Sequence, residues 1–172
     1  MVNQTSNASA YSANCKAVAK VFVETSRNGA EFDQPISMDE LVKRTGLSKE
    51  DVKKGIADLG DDKILYQGDD QPIAPHAELF AIFDSFWEAW DPADDALTLA
   101  KAMIKDSAFP TDPAQISDRM AWEARRLNPA MTYLLDHHFA NAHDSDKGAP
   151  LIYNLLVKTA ETKQFVSNMV TN

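Results

Sequence analysis

The 172-residue chain is predicted to be mainly α-helical with one small β-ribbon. Three observations predict this. Apolar residues recur at three- and four-residue intervals along most of the chain, Asp-Pro, Asn-Pro and Ser capping positions punctuate those runs, and a strand-like stretch is confined to residues 64–74. No repeat of 20 to 50 residues is visible, so a solenoid is not expected.

The elements follow in order. Cys15, Val18, Ala19, Phe22 and Val23 mark one face of a first helix over residues 12–27, which turns Cys15 into the core and ends at Asn28-Gly29. Gln34-Pro35-Ile36 fits a short edge segment, where the donor that proline lacks is tolerated. Ser37 then opens a second helix. Glu40 stands three residues on in a capping-box arrangement, and Met38, Leu41 and Val42 form its stripe. Gly46 ends that helix in a left-handed position, and Leu47 plugs the turn. Ser48 caps a third helix. It buries Val52, Ile56 and Leu59 and leaves Lys49, Glu50, Lys53, Lys54 and Ala57 outward. Residues 64–67 and 72–74 make the ribbon, with its turn at Gly68-Asp69-Asp70-Gln71.

From Ala77 the pattern is helical throughout. Leu79, Phe80, Ile82, Phe83, Phe86, Trp87 and Trp90 leave a thin polar face at Glu78, Asp84, Ser85 and Glu88, so this helix is expected to be covered on most sides. Asp91-Pro92, Asp112-Pro113 and Asn128-Pro129 each read as a cap followed by proline at the first helical position. Stripes at Leu97, Ala100 and Ile104, at Ile116, Met120 and Leu127, and at Met131, Leu134 and Leu135 support three helices. A last helix, carrying Leu151, Ile152, Leu155, Leu156, Thr159, Val166 and Val170, is expected after the polar run Asp144 to Gly148.

Residues 12–76, read as helix, helix, tight turn, helix and ribbon, resemble a winged helix-turn-helix. The resemblance implies a division into a flexible tail (1–11), a winged-helix domain (12–76) and a C-terminal helical bundle region (77–172) for dimerisation or partner binding. It also implies that the helix from Ser48 to Leu59 enters the major groove of double-stranded DNA while the wing touches backbone or minor groove. By position, Lys49, Lys53 and Lys54 would meet phosphates or guanine edges, and Gln67 and Gln71 would reach from the wing. Pairing as a homodimer is expected from the use of this fold on palindromic sites.

Charge narrows the function. The chain carries 17 basic and 26 acidic residues, a net charge of −9, the wrong sign for indiscriminate attachment to nucleic acid. Most of the acidity lies outside the predicted reading head: residues 37–68 hold six basic and seven acidic side chains, whereas eight basic face fourteen acidic from Ala77 onward.

Phe83, Trp87, Trp90, Trp122 and Tyr133 form a candidate effector pocket, with Arg125 and Arg126 placed for an anionic group. The alternative for those aromatic residues is core. His137, His138 and His143, with Asp136 and Asp144, have the donors of a metal site but the wrong spacing for one helical face. Helix-end histidines near a C-terminal dipole explain them, and no metal is expected.

No Gly-rich phosphate loop, Gly-x-Ser-x-Gly or His-Glu-x-x-His occurs, and Cys15 sits on an apolar face. Neither an enzyme nor a cofactor is expected. One cysteine excludes an internal disulfide framework, and no apolar run is long enough for a membrane span. Both fit a cytoplasmic protein. The expected function is therefore a DNA-binding transcriptional regulator, with two alternatives: a winged-helix protein-interaction adaptor that does not bind DNA, or a phage- or plasmid-type replication or partition accessory protein.

Overall fold

A computed structural model describes residues 10–31, 33–144 and 150–170. Residues 1–9 of the expected tail and most of the polar run before residue 150 lie outside them, whereas Tyr11, expected in that tail, packs on Phe83 at 4.8 Å between ring centroids. Among the described residues the chain forms α1 (Ala13–Thr25), α2 (Met38–Thr45), α3 (Lys49–Leu59), β1 (Ile64–Leu65), β2 (Ala74–Pro75) and α4 (Ala77–Trp87). It continues as α5 (Pro92–Lys105), α6 (Pro113–Met120), α7 (Ala124–Asp136), β3 (Ala140–Asp144), β4 (Tyr153–Lys158) and α8 (Ala160–Val170). The protein is mainly helical with two small antiparallel hairpins, and no described helix is long and apolar enough to cross a membrane.

The first half assembles as its local chemistry dictates. Ser12 caps α1 by accepting from the Cys15 N–H at 3.1 Å, and Ser37 and Ser48 do the same for α2 and α3. Glu40 does not complete the expected capping box. It turns instead to Arg44 and Lys43, which is the better partner set for an exposed carboxylate one turn from two cations. Gly46 closes α2 at φ +69°, a conformation that costs little without a Cβ. Ile36 exchanges two backbone hydrogen bonds of 2.8 Å with Ile73, so the segment after Pro35 lies against the β1–β2 hairpin. The hairpin pairs Ile64 with Pro75 and Leu65 with Ala74, fewer residues than the sequence suggests.

Two apolar cores result. The first joins Cys15, Val18, Phe22, Met38, Leu41, Val52, Ile56, Leu59, Ile64 and Ile73 with Leu79, Phe80 and Phe83 from α4. The second joins Leu99, Met103, Ile116, Leu127, Met131, Leu134, Leu156 and Phe165. Each fully buried Leu, Ile or Phe contributes about 1.5–3 kcal/mol relative to exposure. The burial of α5 runs through Ala96, Leu99, Ala100 and Met103, one position off the predicted stripe, and leaves Leu97 and Ile104 half-buried.

Three expectations for the second half are corrected. Asp84, assigned to a polar face, is fully buried because Arg125 of α7 meets it: Nη2 donates to Oδ1 at 2.8 Å and Nη1 to Oδ2. Asn128-Pro129 does not begin a helix but lies inside α7. The Arg125 carbonyl, which Pro129 cannot serve as a donor, faces Gly29, where a Cβ would stand only 2.9 Å from it. The Asn128 side chain is buried and its amide donates at 2.8 Å to the carbonyls of both Asn28 and Pro150, tying three distant segments together. Finally, Tyr153 to Lys158 is a strand rather than the start of the last helix. It pairs with β3, and Lys158 Nζ caps the end of α5 through the Met103 and Asp106 carbonyls at 2.6 and 3.2 Å.

Between α1 and α3 the closest approach is at Gly55, where an added Cβ would lie 2.7 Å from the Asn14 carbonyl oxygen. Gly55→Ala therefore loses more by overpacking than the helix gains in propensity, and a net destabilisation of about 1–2 kcal/mol is expected in urea titration. Arg125→Ala strands a buried carboxylate and is expected to cost about 3–5 kcal/mol in the same assay. The double change Asp84→Leu with Arg125→Met should recover a large part of that loss, because it removes both charges from the interior together.

Candidate functional site

Lys49 and Lys53 are one helical turn apart on α3 and therefore share a face, while Lys54 is rotated away from it. The turn of the first hairpin comes back over that shared face. Gly68, at φ +120°, lets the chain reverse so that Asp69 points at α3. Lys49 Nζ and Lys53 Nζ then meet a single oxygen, Asp69 Oδ2, at 2.8 and 3.0 Å. The Tyr66 hydroxyl donates to the other oxygen, Oδ1. Tyr66 is held from behind by packing against the first core.

The electrostatics follow from this geometry. Hydrogen bonds from Lys49, Tyr66 and Lys53 hold the Asp69 carboxyl well below the usual carboxylate range, and Asp69 in turn raises both lysines. The Tyr66 hydroxyl is raised as well, because its proton is engaged by Asp69. Since the folded pKa of Asp69 is depressed, its contribution is present above the unfolded carboxylate value and is lost only as pH falls through the lower folded value. The cluster thus stays ionised throughout the mildly acidic range.

Of the other residues predicted to meet DNA, Lys54 pairs with Asp51 at 2.9 Å, while Gln67 and Gln71 are exposed on either side of the hairpin turn. The predicted basic face therefore exists, but two of its three cations converge on a carboxylate that the sequence offers only as a turn residue. Tyr66 is the member that sequence reasoning misses; Asp69, placed in the turn near the same surface, is not read as the counter-ion of these lysines. The alternation Tyr66-Gln67-Gly68-Asp69 holds the signal, yet nothing in it states that the turn folds back onto α3.

The residues of the predicted effector pocket are dispersed. Phe83 belongs to the first core and stacks on Trp87 at 6.2 Å between ring centroids. Arg125 is spent on Asp84 and Glu88 and lies over the rings of Phe80 and Trp90. Arg126 grips Asp95 through two hydrogen bonds of 2.7 and 2.6 Å and covers Trp122 at 4.5 Å. Arg125 is enclosed, and Arg126, though part-exposed, directs two of its nitrogens to Asp95. Tyr133 stands apart, stacked on His137 at 4.1 Å. There it lines an open cavity of about 440 Å³ with Phe139, Phe165 and Met169.

The histidines also separate. His137 caps α7, and His138 takes the left-handed position after it at φ +57°, so that the His138 and Phe139 N–H groups close on Leu135 and Leu134. His143 lies on β3. Among the described residues no group of three or more His, Cys, Asp or Glu side chains is placed to hold a metal ion. Burial pushes the Cys15 thiol up to about 11, with the Asp58 charge adding to it, so the thiolate is scarce at neutral pH.

Comparison with protein-family models and with curated proteins finds no match to this chain.

The raised lysines give a direct test of the cluster. Acylation of the intact protein at about pH 8.5, where only the neutral amine reacts, is expected to label Lys49 and Lys53 several-fold more slowly than the open Lys43. In an Asp69→Ala variant the three rates should draw level when read by peptide mass spectrometry.

Proposed function

We propose that residues 12–76 act as a winged helix-turn-helix that binds double-stranded DNA, and that the protein is a transcriptional regulator whose C-terminal helices pair subunits or meet a partner. The observation that carries this reading is the common orientation of Lys49 and Lys53 with the hairpin turn. A capped amphipathic helix presents two cations to the hairpin turn, and the exposed amides Gln67 and Gln71 flank that turn. The acidic remainder of the chain would repel duplex held without base contacts, which suits a selective reader better than a general DNA coat.

A second reading is supported by the same cluster. With Asp69 on both lysines the face is close to neutral, and a near-neutral face suits a protein-interaction adaptor that never meets DNA. The two readings part in one experiment. Selection of the purified full-length protein against a random duplex library at about 0.1 M salt should enrich a palindromic motif with half-sites about one helical turn apart. Replacing Lys49 and Lys53 together by alanine should weaken binding to that motif at least tenfold and lower the salt slope by about two. A library that emerges unenriched would remove the DNA reading and leave the adaptor.

A further inference from the structure

We propose that Lys49, Lys53 and Tyr66 form a single binding site for one oxygen-rich face of a DNA backbone phosphate, and that Asp69 occupies this site in the free protein as a competitor for it. This rests on the DNA-binding reading and goes beyond it: it adds Tyr66 to the site, takes the Asp51-paired Lys54 out of it, and makes Asp69 the residue that sets how much affinity a duplex must supply to bind.

Two ammonium groups and a phenolic hydroxyl, supplied by two separate elements, converge on the two oxygens of one carboxylate. A phosphate offers the same pairing of adjacent anionic oxygens, and charge-assisted donors of this kind are the usual means of holding it. The donors are anchored and the occupant is not. Lys49 and Lys53 rise from a capped helix packed on α1, and Tyr66 leans on the first core. Asp69, by contrast, follows Gly68 in the hairpin turn, belongs to neither apolar core, and is held by polar contacts alone. The carboxylate can therefore leave without disturbing the core.

Exchange has a consequence for affinity. A phosphate that replaces Asp69 takes over two lysine contacts that were already made and pushes a carboxylate into the field of the DNA. Every duplex that seats a phosphate there meets the same penalty, so Asp69 weakens motif and random sequence by the same factor, and only a duplex that adds base contacts from α3 stays bound.

The test uses the full chain and fluorescence anisotropy at about 0.1 M salt, with a duplex recovered by selection and a scrambled duplex of equal length. Asp69→Asn, a nearly isosteric change at a half-exposed position, is expected to tighten binding to both duplexes by about tenfold. Asp69→Ala should behave in the same way, and adding Tyr66→Phe to Asp69→Asn should give back about threefold on both. Unchanged affinities in both Asp69 variants, with the wild type binding its motif, would overturn the phosphate-site assignment and leave the DNA reading standing. Failure of wild type and variants alike to bind any duplex would overturn both.

Discussion

The ion pair between Arg125 and Asp84 is the constraint on which the arrangement of the whole molecule depends. Asp84 is the only charged side chain at the centre of α4, and α4 is the element that belongs to the first core while touching α7 of the second. Left alone there, its carboxyl would be driven toward the neutral form; burial does push it up, and Arg125 opposes that shift. The guanidinium also reaches the Val23 carbonyl of α1 at 3.4 Å and Glu88 at 3.3 Å. One side chain thereby fixes three helices. Its Nε–H is nevertheless buried without an acceptor among the described residues, so the pair is not an optimised source of stability. Its clearer effect is to define one orientation of the two cores, since an apolar seam would tolerate rotation that a bidentate contact does not.

The Asp69 cluster obeys the opposite logic. Its charges are open to solvent, where ion pairs add little to folding and are screened by salt. Holding the hairpin turn against α3 is thus a conformational preference that an external anion can reverse. Arg125 and Asp84, sealed from such competition, cannot exchange partners in this way. The molecule accordingly has one ion pair suited to holding its halves in register and another suited to being replaced.

How legible this was in the sequence depends on the range of the interaction. Ser37, Ser48, Asp91 and Asp112 cap helices within a few residues of themselves, and all four could be read directly, whereas Ser12 caps α1 from a position read only as its first residue. Helix burial was visible for the same reason, down to Cys15 in the core. The failures share a different cause. Asp84 looked solvent-facing because its partner is 41 positions away. Asn128-Pro129 looked like a helix start because the local rule is sound, but the Gly29 loop accommodates the carbonyl that Pro129 leaves unserved. Residues 151–156 have a spacing compatible with either a helix or a strand, and pairing with β3 decides it. For the candidate site, the basic residues were evident and their counter-ion was not. Nor could aromatic composition reveal that Arg125 and Arg126 would be consumed by Asp84 and Asp95.

The two halves are coupled mechanically through α1. On one side it packs against α3 at Gly55 so closely that the backbones nearly touch; on the other its Val23 carbonyl accepts from Arg125. A displacement of α7 would therefore reach α1 through the 3.4 Å Arg125 contact and α3 through the close packing at Gly55. Under the DNA-binding reading this has a geometric consequence. If two copies pair through their C-terminal helices, the separation of their α3 helices is set by packed elements rather than by a flexible linker. Half-site spacing would then be a property of the fold, and only the solvent-exposed hairpin turn would be free to adjust to the duplex.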